Sequence, residues 1–186
     1  MSENPDLMEE RTLESERIYE GRILALRVDR VVLPGGRETR REVVEHVDCV
    51  AIVAIDLEDN VILVRQFRSP AERVLLEIPA GGIEPGEEPL ESALRELEEE
   101  TGYIAGKMER LGGFYSSPGY STEFLHLFLA TELRKGLGAP VEDEVIEVVP
   151  IPLRQIPGLI LSGEVSDAKS IAGLFTVILG RKEVRK

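Results

Sequence analysis

The sequence lacks the features of a disulfide-stabilised, zinc-binding or membrane-spanning protein. Cys49 is the only cysteine among 186 residues, which excludes an intramolecular disulfide, and no Cys/His cluster suits structural zinc. The longest apolar stretch, residues 171–179, is too short to cross a bilayer. Basic residues number 22 against 35 acidic ones, and the net charge of −13 disfavours nucleic acid or an anionic membrane as a partner. Residues 1–10 are acidic and polar, unlike a signal peptide, and we expect a cytoplasmic protein.

Strand-like runs and turn signals occupy most of the chain, whereas helical patterns come late. The predicted strands cover residues 22–33, 40–46, 49–57, 61–67, 74–78, 112–115, 124–131 and 145–151. Helices are predicted over residues 88–101 and from a cap at Ser166, with Asp167 next, to about Leu179. Residues 1–14 are expected to be frayed. This order predicts an α/β (α+β) fold, with an N-terminal β-rich subdomain over residues 1–47 and a main domain over residues 48–186.

The negative charge is concentrated in one segment, because residues 81–103 contain eight glutamates and a single arginine. Pro and Gly occupy the centre of a predicted type II turn at residues 84–87. In the helix that follows, Leu90, Ala93, Leu94, Leu97 and Thr101 form one apolar stripe. Glu96, Glu99 and Glu100 cluster on another face, and Glu91 is spaced to pair with Arg95.

Carboxylates grouped in this way have two interpretations. They can form the solvated face of an amphipathic helix, which is common in acidic proteins. Alternatively, these hard oxygen ligands bind a divalent cation such as Mg²⁺ or Mn²⁺, which often also contacts the phosphates of a substrate.

The spacing of the segment resembles the Nudix box, and this resemblance favours the second interpretation. The matching positions are Gly81, Glu87, Arg95, Glu96, Leu97, Glu99, Glu100 and Gly102, and the only departure is an aromatic Tyr103 at an aliphatic position. The resemblance implies an α/β/α sandwich around a mixed sheet. It also implies divalent-metal-dependent hydrolysis of a nucleoside diphosphate linked to another group.

The resemblance also implies roles for individual residues. Glu96 and Glu100 look like the principal metal ligands, with Glu99 in the same cluster and the carbonyl oxygen of Ala80 reaching a metal. Arg95 looks like the residue that orients the glutamates. The catalytic base in this family branch lies on a late loop, which favours Glu142 here, with Glu144 as the alternative base or as an extra metal contact. Gly136 and Gly138 would allow this loop to close.

Other segments are similar to the ADP-ribose pyrophosphatase branch of the family. These are residues 64–68, residues 76–81 and the loop around Pro118 and Gly119, where the proline marks the substrate preference. Arg41, Arg65 and Arg68 are candidates to bind phosphate or stack on adenine, Arg68 being the best match. Glu77 is a candidate to accept hydrogen bonds from a sugar or base amine.

The expected reaction is hydrolysis of ADP-ribose to AMP and ribose 5-phosphate. The alternatives are another nucleoside diphosphate sugar, NADH or a diadenosine polyphosphate as substrate, or a sensor that binds ADP-ribose without cleaving it. All four box glutamates are present, which favours catalysis over sensing. By the same resemblance, residues 17–46 are expected to take part in a homodimer.

Overall fold

The computed structural model describes residues 8–136 and 145–183. The chain divides into two compact units. One contains the residues up to Val47 together with Tyr115–Glu123, and the other contains Asp48–Phe114 and the residues from Phe124 onward. The sequence did not indicate that the Tyr115–Glu123 segment would group with the N-terminal residues.

The N-terminal unit contains an antiparallel sheet with strand order β1–β2–β3, formed by Arg11–Glu20, Leu24–Val32 and Glu38–His46. The last two strands correspond to those predicted over residues 22–33 and 40–46, and they pair with each other. The prediction that residues 1–14 are frayed was wrong for the start of β1, which pairs with β2 from Arg11 onward. This strand has no buried side chain, and ion pairs such as Arg30–Glu14 link it to the sheet. Apolar alternation therefore could not reveal it.

The larger unit is built on a seven-stranded mixed sheet. Its strands are β4 (Cys49–Ile55), β5 (Asn60–Arg68), β6 (Arg73–Glu77), β7 (Ala80–Gly82), β8 (Tyr103–Tyr115), β9 (Phe124–Lys135) and β10 (Glu147–Pro152). The strand order is β10–β5–β4–β9–β8, with β6 also paired to β5 and β7 to β4. The β4 and β9 strands are parallel, whereas β4 and β7 are antiparallel. The central β4 strand is buried along its whole length, as its continuous apolar sequence predicts.

Helices cover both faces of this sheet. Alternate residues of β4 point to opposite sides, so that Val50 and Ile52 pack with Ala93 and Leu97 of helix α1 (Pro89–Thr101). On the other side, Ala51 and Val53 belong to the core that contains buried residues of α2 (Ile156–Ser162) and α3 (Ala168–Glu183). This arrangement is the expected α/β/α sandwich. The short α2 helix was not predicted, since only Ile156 of its residues is buried.

Helix α1 packs on the sheet through a narrower stripe than the sequence indicates. Its buried residues are Ser92, Ala93, Leu97 and Thr101, whereas Leu90 and Leu94 are 46% and 39% exposed. The prediction that both leucines belong to the buried stripe was therefore wrong. The helix begins at Pro89 and ends before Gly102, whose positive φ of 69° forms the C-cap.

Asp167 caps the α3 helix, because its Oδ2 accepts a hydrogen bond from the backbone N–H of Ser170 at 3.0 Å. The sequence indicated Ser166, with Asp167 next to it, as the cap, so the observed cap is one residue later. Among residues 8–136 and 145–183, no helix has the length and apolar character needed to cross a bilayer.

Candidate functional site

The loop before helix α1 has the predicted turn. The backbone N–H of Glu87 donates to the carbonyl oxygen of Glu84 at 3.0 Å, and Gly86 has the positive φ of 85° that a type II turn requires. A capping box then starts the helix, in which the Glu91 side chain accepts a hydrogen bond from the Glu88 N–H. The turn and the cap together fix the direction in which the acidic residues enter the helix.

Arg95 lies at the centre of the acidic cluster. Its Nε and Nη2 each donate to one oxygen of Glu87 at 2.9 Å, which forms a bidentate pair. Its Nη1 donates to Glu96 at 2.7 Å and to Glu99 at 3.0 Å. The predicted pairing of Arg95 with Glu91 was wrong, because Glu91 is engaged in the capping box and Arg95 reaches back to the preceding loop.

Two further glutamates of the helix contact the backbone of β7. An added Cβ at Gly81 would lie 2.0 Å from the Cδ atom of Glu96, so only glycine leaves room for this carboxylate. Glu100 accepts a hydrogen bond from the backbone N–H of Ala80 at 3.1 Å. The structure thus brings four predicted residues together, Ala80, Gly81, Glu96 and Glu100, which are well separated in the sequence.

The pKa values of the residues in the acidic cluster are shifted in different directions. The hydrogen bonds from Arg95 lower the pKa of Glu87 to about 2, and the same bonds raise the pKa of Arg95 above its usual value. Burial raises the pKa of Glu96, and Arg95 offsets this only in part because Glu99 and Glu87 add repulsion. Glu87 is therefore ionised at neutral pH, whereas burial makes the charged form of Glu96 more costly.

These residues fit a hard divalent cation. Their donor atoms are carboxylate oxygens, which Mg²⁺ and Mn²⁺ prefer. Gly81 leaves a space that the Glu96 carboxylate fills, and a bound cation would offset the burial that raises the pKa of Glu96. The residues that would hold the ion are Glu96, Glu99 and Glu100, with the Ala80 carbonyl beside them.

A second ion-pair network lies on strands β5 and β6 and on helix α3. Arg68 donates to both carboxylate oxygens of Glu77, at 2.9 and 2.8 Å, and Lys169 donates to the same carboxylate. The sequence indicated Arg68 and Glu77 as candidates but missed Lys169. The sequence did contain a signal for Lys169, because it lies two residues after the helix cap Asp167. A cation at a helix N-terminus is unfavourable unless a carboxylate pairs with it, so a carboxylate partner could have been predicted.

Other predicted residues lie elsewhere. Arg65 on β5 pairs with Glu147 on β10 at 2.5 Å. In the N-terminal unit, Arg41 on β3 pairs with Glu10 at 2.5 and 2.9 Å. Pro118 and Gly119 are exposed in a turn of that same unit.

The turn that contains Pro118 and Gly119 is attached to the β3 strand. The backbone N–H of Val44 donates to the carbonyl of Tyr120 at 2.7 Å, and the N–H of Thr122 donates to the carbonyl of Val44 at 3.0 Å. The Thr122 hydroxyl also donates to the carbonyl of His46 at 3.1 Å. These bonds hold the residues after the turn, Tyr120 to Thr122, against the β3 strand of the N-terminal sheet.

The two candidate catalytic bases, Glu142 and Glu144, lie outside the described residues, and so does Gly138. Gly136 is described and is held at the end of β9. Its N–H donates to the carbonyl of Gly102 at 2.8 Å, and an added Cβ would lie 2.8 Å from a Glu98 carboxylate oxygen.

Comparison with known proteins gives matches over nearly the whole chain. Residues 45–174 match the model of the NUDIX domain, and residues 10–44 match that of the nucleoside diphosphate sugar hydrolase N-terminal domain. An ADP-ribose pyrophosphatase of Bacillus subtilis is 46% identical over 88% of this chain and 89% of its own. A methanol dehydrogenase activator of Bacillus methanolicus is 42% identical over 89% and 90%. The crystal structure of an ADP compounds hydrolase superposes with a TM-score of 0.85 at 25% identity, covering 95% of this chain and 96% of that one.

Proposed function

Because this chain belongs to the Nudix family, we propose that it is a Nudix pyrophosphatase that hydrolyses ADP-ribose to AMP and ribose 5-phosphate. The observation that carries the proposal is the convergence of the box glutamates on Arg95 and on the Ala80–Gly81 backbone. The similarity to ADP-ribose pyrophosphatases over most of the chain supports the choice of substrate. The sequence-based identification of the family is confirmed by the domain match.

The residues of the box have two proposed roles, metal binding and the positioning of the metal ligands. We propose Glu96, Glu99 and Glu100, with the carbonyl of Ala80, as the ligands of Mg²⁺ or Mn²⁺. A bound divalent cation supplies charge neutralisation for the pyrophosphate and lowers the pKa of a bound water. Arg95 holds Glu96 and Glu99 in place, while the ionised Glu87 holds Arg95 from the other side. The ion pairs with Arg95 therefore hold the side chains of Glu96 and Glu99 in place within the protein itself.

The remaining roles follow from charge and chemistry. Arg68, in the same unit as the box, is proposed to contact an anionic part of the substrate, and Arg41, Arg65, Pro118 and Gly119 remain proposed substrate contacts. In hydrolysis, water adds to one phosphorus, the bridging P–O bond breaks, and the second phosphate leaves. A carboxylate must take the proton of that water, and Glu142 or Glu144 stays our prediction for this base.

We expect AMP to be released from ADP-ribose faster than product from any other nucleotide tested. The purified protein would be incubated with Mg²⁺ and, separately, ADP-ribose, UDP-glucose, NADH and diadenosine tetraphosphate, and the products would be separated by chromatography. Faster cleavage of one of the other substrates would keep the family activity but contradict the substrate. Binding of ADP-ribose without cleavage of any compound would instead identify a sensor.

We also propose that residues 1–47 form a dimerising domain, and that the protein acts as a homodimer in the cytoplasm. The N-terminal unit exposes large apolar side chains, among them Ile18, Tyr19, Ile23 and Val47, beside a cavity of about 350 Å³. Exposed apolar groups of this kind are typical of interaction surfaces. A single cysteine suits a reducing compartment.

Light scattering after size exclusion tests the dimer. We expect a mass near twice 20.6 kDa, and we expect Ile23→Glu to give a monomer because a buried interface would then contain an unpaired charge. Leu161→Glu is the matched control, since Leu161 is equally apolar and 87% exposed but lies in the other unit. A fully active wild-type monomer would contradict the proposal.

A further inference from the structure

Lys169 is a nearly buried cation for which the reaction described above has no use. It lies in the first turn of α3, its side chain is only 14% exposed, and it donates to Glu77, whose side chain is 1% exposed. It also donates to Asp167 at 3.0 Å. A lysine is rarely buried to this degree unless it is paired, and this one is paired on both sides.

The network has a definite charge balance. Two cations, Arg68 and Lys169, face two anions, Glu77 and Asp167. Burial alone would raise the pKa of Glu77, but Arg68 and Lys169 outweigh it and lower that pKa below its usual value. A buried ion-pair network of this kind is seldom more stable than apolar packing of the same volume. What the network does fix is the position of its most exposed charged group.

The group in question is the guanidinium of Arg68. Glu77 binds it in a bidentate manner, which fixes its plane, and the Arg68 side chain nevertheless remains 38% exposed. Glu77 ends strand β6, and Ala80, three residues later, donates its backbone N–H to Glu100 at 3.1 Å. A short stretch of backbone therefore joins the carboxylate that holds Arg68 to a contact of the proposed metal ligands. The exposed part of the guanidinium is available to an anion bound there.

Lys169 determines how Glu77 can hold this guanidinium. Without the lysine, the Glu77 carboxylate would have a single cation and could rotate about its terminal torsion, because that torsion is soft. The loss of this restraint would weaken the contact between the Arg68 guanidinium and an anionic substrate.

We propose that Lys169 is a positioning residue of the pyrophosphatase: by sharing the Glu77 carboxylate with Arg68, it holds the Arg68 guanidinium in the orientation that binds the anionic substrate. This inference rests on the proposed function. It assigns to Glu77 an indirect role through Arg68, since both of its oxygens are engaged within the protein.

Steady-state kinetics of Lys169→Met and Lys169→Arg with ADP-ribose and Mg²⁺ test the proposal. We expect Lys169→Met to raise KM about tenfold, as for the loss of one charge-assisted contact, with kcat within twofold of wild type. Lys169→Arg should recover most of the KM because it restores the cation. If Lys169→Met is poorly folded, Lys169→Gln replaces it, since glutamine can still donate to Glu77 without the charge.

A double-mutant cycle with Arg68→Ala separates positioning from a merely structural role. If Lys169 acts through Arg68, Lys169→Met should raise KM by less than twofold in the Arg68→Ala background. Arg181→Met is the control, because Arg181 lies on the same helix and pairs with a carboxylate, that of Asp59. We expect this control to leave KM unchanged.

Two sets of results would overturn the inference. Independent effects of the two substitutions on KM, or a fall in kcat at constant KM, would show that Lys169 does not act through Arg68. Wild-type protein that cleaves no ADP-ribose would instead contradict the proposed function. The same four proteins of the cycle would then be compared by calorimetry with ADP-ribose as the ligand, and additive effects on its affinity would overturn the positioning role as well.

Discussion

We expect Glu100→Gln to lower kcat for ADP-ribose by about 10²- to 10³-fold while the protein remains folded. This loss is the usual cost of removing one group that stabilises the charge of a transition state. The Glu100 carboxylate lies against the Ala80 backbone at the point where helix α1 and strand β7 meet. Glutamine keeps the shape and can still accept the hydrogen bond from Ala80, but it lacks the negative charge that a divalent cation requires. Initial rates at saturating ADP-ribose and Mg²⁺ measure the effect.

The control for this substitution is Glu98→Gln on the same helix, which removes the same charge outside the proposed ligand set. It should change kcat by less than about threefold, since Glu98 lies on another face of the helix, about 200° around its axis from Glu96 and Glu100. Thermal shift with Mg²⁺ gives a second measurement. The ion should stabilise the wild type and the control but not Glu100→Gln, because only a ligand that binds the native state raises stability. Full activity of Glu100→Gln would contradict the metal site.

Gly81→Ala should reduce kcat/KM by about 10²-fold with little change in the free energy of unfolding. The new methyl group would lie 2.0 Å from the Cδ atom of Glu96, so the carboxylate must move away from its position. A displacement of about 1 Å in a catalytic site commonly costs this much activity. Because the displaced atoms are the end of a flexible side chain and Gly81 has no positive φ, the fold should tolerate the change.

Gly180→Ala provides the comparison for Gly81→Ala. An added Cβ at Gly180 meets no atom within 4 Å, and the residue lies in helix α3. Its activity should match that of the wild type, and its urea midpoint should be equal or slightly higher because alanine favours the helix. Unfolding or full activity of Gly81→Ala would contradict the proposal that Gly81 is needed to let the Glu96 carboxylate take its position in the site.

The box itself could be predicted from the sequence because its chemistry is local. The turn at residues 84–87, the helix that follows and the grouping of Glu96, Glu99 and Glu100 depend on residues within one or two helical turns of each other. The family resemblance rests on this same segment, and the domain match confirms it. The continuous apolar sequence of β4 likewise identified the buried centre of the sheet.

The predictions from sequence were wrong where the outcome depended on packing or pairing with other parts of the chain. Arg95 was assigned to Glu91 by helical spacing, but its guanidinium reaches Glu87, and Glu91 caps the helix instead. Leu94 matched the apolar stripe but is 39% exposed, while the small polar Ser92 is buried. Strand β1 was missed because it is exposed along its length and depends on pairing with β2.

The sequence by itself determined the family, the fold class and the acidic helix, since each depends on short-range spacing and on the composition of single segments. Only the tertiary structure decided which distant groups meet: Glu96 with Gly81, Glu100 with Ala80, and Glu77 with Lys169, which are 92 residues apart. The physical reason is that strand pairing and helix packing set these contacts. Hydrogen bonds and ion pairs act over a few ångströms in space, whatever the separation along the chain.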